Sequence, residues 1–510
     1  MSNQTIRPCY GPPASSWSNR ILLLATAGIL FLTMYPFRFS FHVLPHGASP
    51  FFLGNSGKGG GFADAFLNVL LFVPFGFGLA EKLRERGVSL GLVLVTALAC
   101  GAFFSYAIEF LQLYIPERDS GWEDVLTNGS GSLVGAVFYL GIGAFIVRNL
   151  IATEQQFRSL LTARRIVVLL LVYLCICFVL GALLQMQSRL SNWKPDAILI
   201  IGNDASGRNP WHGQIQSVQI WNRVIGDGAK AAPDAPDPPI INYDFASLSS
   251  SASPPHTVPE LSWIPTAPER VDAPGLDLDG KSWLSTKTNA GDLAESLSRT
   301  SQFTIRLVCT PMDFADAWGR ILYISDSNGV ADVMIRQENT SLGFGFRTPL
   351  SSRRAQLIWS VPGVFNDHRQ RDIVYRYDGS NLSLTVDGQK QRVSFKLGPG
   401  AALGRIIRRV KPSELEGYNI IFYAIVFFIA GALLGFSAFF RRIRLALPAL
   451  LFSLFALCLA ALILEFILAR TSGRIFSSAN VALSVALGIA GYLWSMADDD
   501  TRDGELQRIG

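Results

Sequence analysis

Residues 166–184 read Ile-Val-Val-Leu-Leu-Leu-Val-Tyr-Leu-Cys-Ile-Cys-Phe-Val-Leu-Gly-Ala-Leu-Leu, an unbroken stretch without a charged side chain. A helix needs about 20 such residues to cross the hydrocarbon core of a bilayer. Comparable runs flank this one and together predict eight transmembrane helices, at 20–37, 62–80, 89–115, 125–147, 165–186, 417–440, 443–469 and 480–497. The expected fold class is therefore a polytopic α-helical membrane protein.

The composition supports this prediction and excludes several other classes. Of the 510 residues, 49% are hydrophobic and only 16% are charged, against about 25% charged in a typical soluble domain. The net charge of +5 and the lack of a basic cluster interleaved with aromatic residues exclude a nucleic-acid binder. The six cysteines and five histidines form no zinc-ligand pattern, so no metal site is predicted.

The distribution of basic residues predicts the orientation, because Lys and Arg are enriched in cytoplasmic loops. The connections after spans two, four and six carry ten Lys or Arg residues, against five in the short loops on the other side. Residues 1–19 and 498–510 are therefore expected in the cytoplasm and residues 187–410 outside it. Arg405, Arg408, Arg409 and Lys411 run against this pattern, but long translocated domains tolerate such charges.

Residues 187–410 have a different character from the apolar runs. Short stretches of alternating polar and apolar residues occur at Gln214–Trp221, Phe303–Val308, Ile321–Ser325, Asp372–Tyr377 and Leu382–Val386. Asp-Gly dipeptides at 279–280, 378–379 and 387–388 are typical of β-hairpin turns. No helical period is found between the stretches. This pattern predicts an all-β, antiparallel sandwich.

Several of these strands resemble the concanavalin A-like, laminin-G-type (LamG) sandwich. The resemblance rests on Tyr375–Gly379, Leu382–Gly388, Leu276–Gly280, Phe303–Leu307, Ile201–Asn203 and Pro210–Asn222. The last two resemble the family's final strands but stand first in this chain, which implies a circularly permuted sandwich. The linker at 227–240, with its prolines at 231–239, would join the old termini. Permutation is physically easy because sandwich termini lie at the surface.

The LamG resemblance leaves the role of the sandwich open. The family includes carbohydrate binders and calcium sites as well as protein-binding and structural modules. Asp378 and Asp387 are interpreted as turn residues rather than ligands, and the tryptophans as core residues rather than sugar-stacking platforms. No cofactor is predicted, with calcium in the β-sandwich as the open alternative.

A second resemblance lies in residues 20–147. Its motifs are Tyr35-Pro-Phe37, Asp64-x3-Asn68 with Leu71–Gly76, Glu109-x2-Gln112, Pro116-x-Arg118 and Asp124-Val-x2-Asn128-x2-Gly131. In this order and spacing they resemble the VanZ-like family, membrane proteins named for a teicoplanin-resistance factor. The resemblance implies a bacterial cell-envelope protein, and hence a multi-pass protein of the bacterial cytoplasmic (inner) membrane. The segment Gly131-x3-Gly135 is interpreted as a helix-packing surface.

The polar residues of this motif are the candidate site. Ionisable groups at membrane depth are costly, so they tend to pair and to face a cavity. Each helix carries two of them on one face, all at the predicted outer ends. Glu109 and Asp124 are the candidate catalytic residues, and the candidate binding residues are Asp64, Asn68, Gln112, Arg118 and Asn128. The alternative is a set of helix caps and interfacial anchors that only stabilise the hairpin.

The chain also matches itself at a constant offset of 356 residues. Glu109-Phe110 recurs as Glu465-Phe466, Arg118 as Arg474, and Asp124-Val125 as Asn480-Val481, whereas Asn419 is a looser counterpart of Asn68. The match predicts two four-helix repeats, with the sandwich inserted between the first helix of the second repeat (165–186) and its other three (417–497). Because Leu468 and Ser484 replace Gln112 and Asn128, the second repeat is expected to keep the architecture and lose the chemistry. Chance similarity among apolar helices is the alternative.

Three classes of function are compatible with these features. The leading hypothesis is a membrane protein that binds or modifies a glycan- or polyisoprenoid-linked envelope component at the outer face, with an effect on glycopeptide resistance or envelope polysaccharide. The second is a non-catalytic scaffold that acts through the sandwich on a glycan or an envelope protein. The third is a transporter, which the parallel repeats and unbroken spans do not favour. The sequence does not decide whether the protein is an enzyme.

Overall fold

The structure, a computed structural model, describes residues 17–35, 39, 62–115, 121–160, 162–226, 238–246, 259–266, 275–286, 290–314, 318–351, 357–407, 414–436 and 447–496. Arg118, the basic loop at 441–444 and most of the linker at 231–239 lie outside these ranges, as do most of the predicted cytoplasmic N-terminal segment and the C-terminal tail.

Eight helices in the described ranges are long and apolar enough to cross a membrane, which confirms the eight predicted spans. Four helices, called the first helix set, are α1 (Trp17–Met34), α2 (Phe62–Glu85), α3 (Leu90–Gln112) and α4 (Trp122–Phe138). A π-helical turn (Tyr139–Gly143) joins α4 to α5 (Ala144–Leu160), followed by α6 (Ala163–Met186). Because α4 continues through the turn into α5, Arg148 and Arg158 lie in a helix and not in the predicted loop.

The remaining helices lie within and after the sandwich. They are α7 (Gly291–Thr300), α8 (Pro399–Ile407), α9 (Leu415–Gly435), α10 (Leu447–Ser472) and α11 (Ser478–Met496). Helices α6, α9, α10 and α11 are called the second helix set. The prediction that residues 187–410 contain no helix is wrong, because α7 and α8 lie in that range. Both are short amphipathic helices of about three turns or fewer, too short to give a clear period.

Helices α2 and α4 approach each other at backbone distance. A Cβ atom added to Gly131 would lie 2.3 Å from the carbonyl oxygen of Val69, and one added to Gly135 would lie 2.1 Å from that of Val73. Only glycine leaves room for this approach, in which van der Waals packing replaces the hydrophobic effect that is absent in lipid. The interpretation of this segment as a packing surface is therefore confirmed.

The polar middle of the chain forms two antiparallel sheets. Their strands are β1 (Ile198–Ile201), β2 (His212–Trp221), β3 (Ile241–Asp244), β4 (Leu261–Ile264), β5 (Leu276–Asp279), β6 (Trp283–Thr286), β7 (Phe303–Pro311), β8 (Trp318–Ser325), β9 (Ala331–Glu338), β10 (Ser341–Phe346), β11 (Leu357–Val361), β12 (Arg371–Tyr377), β13 (Asn381–Val386) and β14 (Gln389–Lys396). One sheet has the order β11-β10-β9-β8-β1-β6-β4, and the other β14-β13-β12-β7-β2-β3 with β5 also paired to β2. All five predicted strands are present.

Strand β2 lies in the interior of its sheet although it comes early in the chain. It pairs with β7 from Gly213 opposite Pro311 to Trp221 opposite Thr304, and with β3 and β5 on its other side. This early strand therefore pairs with a strand from later in the chain, as expected for a permuted sandwich. Strand β1 has the same role in the other sheet, between β8 and β6.

The three Asp-Gly dipeptides have two different roles. Those at 378–379 and 387–388 join paired antiparallel strands, as expected for hairpins, and both Asp387 and Gly388 have positive φ. The one at 279–280 does not form a hairpin, because β5 and β6 belong to different sheets. There the Asp279 carboxylate accepts hydrogen bonds from the N–H groups of Lys281 and Ser282, which lower its pKa and turn the chain from one sheet to the other.

The core between the sheets is aromatic and aliphatic. Phe344 stacks on Tyr375 with ring centroids 4.1 Å apart. Trp193 and Trp211 are buried, and their indole N–H groups donate to the carbonyl oxygen of Arg347 and to Gln337. These two tryptophans are thus core residues, as predicted, whereas Trp318 is 57% exposed.

By internal contacts the chain divides into two compact units. The first consists of residues 1–171, 428–453 and 488–510, and the second of 172–427 and 454–487. The second unit therefore contains the whole sandwich together with parts of α6, α9, α10 and α11.

We expect a fragment of residues 187–407 to fold without the membrane helices, and a fragment of residues 238–407 to remain largely unfolded. The shorter fragment lacks β1 and β2, so an interior position is empty in each sheet and the core between them is exposed. Circular dichroism during thermal unfolding measures the difference. Equal stability of the two fragments would contradict the permuted arrangement.

Candidate functional site

A buried carboxylate closes the turn between α3 and α4. Glu109, on the last turn of α3, is only 3% exposed. Its Oε2 accepts a hydrogen bond from the backbone N–H of Gly121, with 3.0 Å between the two atoms. Gly121 immediately precedes α4, so the carboxylate lies at the positive end of that helix. A buried carboxylate needs such a donor, because an unpaired one is costly.

A second polar contact joins α2 to α4. The Nδ2 of Asn68 donates to Oδ1 of Asp124 across 2.6 Å. Both residues are half-buried, and Asp64 lies exposed one helical turn before Asn68. Two of the predicted site residues are thus in direct contact, with a further carboxylate on the same face of α2.

The other predicted residues have separate partners. Gln112 donates to the carbonyl oxygen of Thr33 at 2.9 Å, which joins α3 to α1. Asn128 donates to the hydroxyl of Ser105 at 2.8 Å, which joins α4 to α3. These two bonds stabilise the packing of the first helix set. Arg118 lies outside the described residues, so a single pocket formed by all seven residues remains a prediction.

The second helix set contains a fully connected polar network. Glu465 is 1% exposed and Arg474 is 7% exposed. The guanidinium of Arg474 donates from both terminal nitrogens to the two carboxylate oxygens of Glu465. Glu465 also accepts from the N–H of Ser477 at 2.7 Å and from Nδ2 of Asn480 at 3.3 Å. Burial lowers the pKa of Arg474, but the hydrogen bonds to Glu465 outweigh it and raise the pKa overall.

The same contact therefore occurs twice at a constant spacing. Glu109 accepts from the N–H twelve residues later, at Gly121, and Glu465 accepts from the N–H twelve residues later, at Ser477. Both members of the second pair lie 356 residues after those of the first, the offset found in the sequence.

Backbone contacts show which residues of α9 correspond to which residues of α2. A Cβ atom on Gly76 of α2 would lie 1.9 Å from the carbonyl oxygen of Ser132, and one on Gly431 of α9 would lie 1.9 Å from that of Gly488. Ser132 and Gly488 differ by 356 residues, whereas Gly76 and Gly431 differ by 355. Helix α9 thus matches α2 at an offset of 355.

This register changes one predicted correspondence. At an offset of 355, Asn419 occupies the position of Asp64, and Tyr423 occupies that of Asn68. The looser match of Asn68 with Asn419 is therefore displaced by one helical turn. A comparison of residue types could not detect this correspondence, because both aligned pairs, Asp64 with Asn419 and Asn68 with Tyr423, differ in residue type.

The ends of α6, α9 and α11 that lie nearest the sandwich border a pocket of about 330 Å³. We call it the junction pocket, and it is lined by Gln185, Ser380, Asn381, Lys396, Gly398, Pro399, Glu416, Asn419, Ile420, Tyr423, Arg474, Ser477, Ala479, Asn480 and Leu483. Its walls come from α6, α9 and α11, from the turn between β12 and β13, and from the segment that joins β14 to α8. Of the lining residues, the sequence repeat identified only Asn419, Arg474 and Asn480.

The described residues of the sandwich do not form a metal site. Asp378 accepts from the N–H groups of Ser380 and Asn381, and Asp387 accepts from the N–H of Asp372. Both act as turn residues, as interpreted from the sequence. Within the described ranges no group of three or more His, Cys, Asp or Glu side chains could hold a metal ion.

Residues 12–147 match the family model described as VanZ/LLP1. This part of the chain is therefore VanZ-like, and it contains all seven predicted site residues. No curated protein and no solved structure matches the chain significantly, so the likeness of the sandwich to the LamG fold remains a prediction.

We expect Glu465→Gln to lower the free energy of unfolding by about 3–5 kcal/mol, because it leaves the buried guanidinium of Arg474 without its counter-ion. The double variant Glu465→Gln, Arg474→Gln should be less destabilised than the sum of the two single variants. Unfolding of the detergent-solubilised protein measures these differences. Glu416→Gln is the matched control, since its half-exposed pair with Lys396 should contribute less than about 1 kcal/mol. Additive effects of Glu465→Gln and Arg474→Gln would contradict the coupling.

Proposed function

We propose, on the premise that residues 12–147 form a VanZ-like membrane domain, that this protein binds or modifies a glycan- or lipid-linked component at the outer face of a bacterial cytoplasmic membrane. Changes in glycopeptide resistance or in envelope polysaccharide are the expected consequences. The membrane helices and the family match support a cell-envelope role, and the finer statement is argued from the polar residues of the first helix set.

The observation that carries this proposal is the Asn68–Asp124 contact beside the exposed Asp64. Ionisable residues within membrane-spanning segments are rare and often mark binding sites, so these carboxylates favour a binding role over a purely structural one. Asp64 and Asp124 supply acceptors for hydroxyl groups. Arg118, in the loop that precedes α4, is the proposed anchor for a phosphate or carboxylate, because a guanidinium binds such groups through two hydrogen bonds.

Glu109 and Asp124 are the proposed proton-transfer residues if the bound component is chemically modified. The two differ in environment. Glu109 is buried and accepts the N–H of Gly121, whereas Asp124 is half-buried and contacts Asn68. Asp124 is therefore the more accessible of the two to a ligand, and Glu109 joins the end of α3 to the start of α4.

A scaffold role for the sandwich is the second candidate, and one set of contacts favours it. Gln302, at the start of β7, donates to the carbonyl oxygen of Gly473 at 2.5 Å. A Cβ atom on Gly379 would lie 2.2 Å from the carbonyl oxygen of Ser472. Two turns of the sandwich thus contact the end of α10, as expected if this helix holds the sandwich in a fixed orientation.

We expect the sandwich and the α2–α3 loop to lie on opposite sides of the membrane. Lys390, in the β13–β14 hairpin, and Arg86, after α2, are both exposed. In a chain whose native cysteines are replaced by alanine, Lys390→Cys should react with a membrane-impermeant maleimide in spheroplasts, and Arg86→Cys should react only after lysis. Reaction of both in intact spheroplasts would contradict an outer-face site.

We expect Asp124→Asn to abolish the function at normal protein abundance. The amide can still accept the hydrogen bond from Asn68, so the change removes charge rather than architecture. Lipid and glycan profiling of a deletion strain, complemented with wild type or variant, is the measurement. Glu123→Gln is the matched control, because Glu123 lies exposed in the same first turn of α4 and loses the same charge.

Two outcomes would contradict this proposal. The first is a deletion strain with an unchanged lipid and glycan profile. The second is equal loss of function in Asp124→Asn and Glu123→Gln, which would indicate that charge at this end of α4 matters only for insertion or folding.

A further inference from the structure

Two arginine side chains lie directly opposite each other on the outer face of one sheet of the sandwich. Arg320 of β8 is the register partner of Arg336 of β9. The neighbouring Ile335 belongs to the core between the sheets, and side chains alternate along a strand, so Arg336 and its partner point away from the core. Like charges directly opposite each other destabilise a sheet. The pair therefore costs stability unless a negative charge compensates it.

Within the described residues, only one of the two guanidinium groups has a carboxylate partner. Arg336 is paired with Glu338 on the same strand. For the half-buried guanidinium of Arg320, no hydrogen-bond acceptor is found in the described ranges. The carboxylate of Asp204 acts on Arg320 from a distance, but it accepts its hydrogen bonds from its own loop. Burial and the charge of Arg336 lower the pKa of Arg320, so its positive charge is only partly compensated.

The terminal nitrogens of Arg320 are accessible to a ligand. In this side chain, Nε is the only nitrogen that is both buried and without a partner. Because Nη1 and Nη2 have no acceptor among the described residues either, they reach the surface of the sandwich. Arg336 lies along the same surface, since a Cβ atom added to Gly343, its register partner on β10, would lie 2.8 Å from Nε of Arg336.

An exposed aromatic ring and a carboxylate lie beside the two arginines. Trp318 comes two residues before Arg320 on β8, which places it on the same face and about 7 Å along the strand. Its side chain is 57% exposed, although tryptophan is highly buried on average. Its register partner is Glu338. One patch of the sheet thus combines donors for an anion, an apolar ring face and an acceptor for hydroxyl groups.

We propose that this patch binds an acidic saccharide. The phosphate or carboxylate group of the sugar accepts hydrogen bonds from Arg320 and Arg336, because a planar guanidinium binds such oxyanions through two bonds. The C–H face of the sugar ring packs against Trp318, and its hydroxyl groups donate to Glu338. The bound anion also removes the repulsion between the two arginines.

The site lies wholly within the sandwich. It goes beyond the function proposed for residues 12–147, because it depends on none of Asp64, Arg118 and Asp124.

Saturation-transfer difference NMR of the purified full chain in phosphatidylcholine nanodiscs tests this proposal. The probes are glucose 6-phosphate and glucuronate, with neutral glucose as the reference. We expect the ring-proton signals of at least one acidic sugar to be at least fivefold stronger than those of glucose at equal concentration. Inorganic phosphate should compete with that sugar. The acidic sugar with the higher affinity identifies the oxyanion as phosphate or carboxylate, and either result supports the site.

Two variants and one control locate the site. Arg320→Gln should lower the affinity for the acidic sugar about tenfold or more, the equivalent of a charged hydrogen bond. Trp318→Ala should weaken binding of the acidic sugar at least threefold and leave the binding of inorganic phosphate, measured by phosphorus NMR, unchanged. Arg299→Gln removes the same charge from an exposed residue of α7 and should change neither affinity.

Arg320→Gln breaks no side-chain hydrogen bond within the described ranges and removes a contact between like charges. The unfolding temperature of this variant should therefore equal or exceed that of the wild type. If it is lower, Arg320→Lys takes its place in the binding test. Lysine keeps the charge but not the planar fork, so the affinity for the acidic sugar should still fall.

Four outcomes would overturn the proposal. They are equal signals from glucose and the acidic sugars, unchanged affinity in the Arg320 variant, equal losses in that variant and in Arg299→Gln, and unchanged sugar affinity in Trp318→Ala. None of these variants alters residues 12–147. Failure of the function proposed for the VanZ-like domain would therefore not change these results.

Discussion

A buried glutamate that must accept a backbone N–H is the interaction on which the membrane part depends. Glu109 and Glu465 each lie near the end of one helix and accept the N–H just before the next helix begins. The bond joins the end of one helix to the start of the next, because a buried carboxylate needs hydrogen-bond donors in a low-dielectric environment. In the sequence, the segment between the two helices contains Arg118 in the first helix set and Arg474 in the second.

The two helix sets share this frame but use it differently. In the first, Asp64 is exposed and Asp124 is half-buried, so acceptors remain available at the helix ends. In the second, Arg474 and Asn480 both bond to Glu465, and the network is closed within the protein. That the second set has lost the chemistry stays a prediction. The junction pocket is formed by helices of the second set together with the sandwich.

Much of this could be predicted from local pattern. A run of about twenty apolar residues forms a membrane helix in most contexts, so the eight spans could be predicted. Alternating polar and apolar residues next to Asp-Gly turns form strands in most contexts, so the five strands could be predicted as well. The failures share one cause. Helices α7 and α8, the turn at Asp279 and the continuation of α4 into α5 are short or depend on their neighbours, where local sequence is compatible with more than one conformation. Likewise, the correspondence between α9 and α2 could be determined only from the close backbone contact of Gly431 with Gly488.

The sequence by itself determined the membrane class, the VanZ-like motif and the 356-residue correspondence of Glu109 with Glu465, because each depends on residue type and spacing along the chain. Only the tertiary structure decided which of these residues meet. It brought Asn68 to Asp124, gave Gln112 and Asn128 partners outside the sequence motif, and assembled the junction pocket from elements more than 200 residues apart. The physical reason is that a carboxylate or amide in the interior bonds to whichever partner the packing of the backbone brings within about 3 Å, and that packing is set by distant contacts.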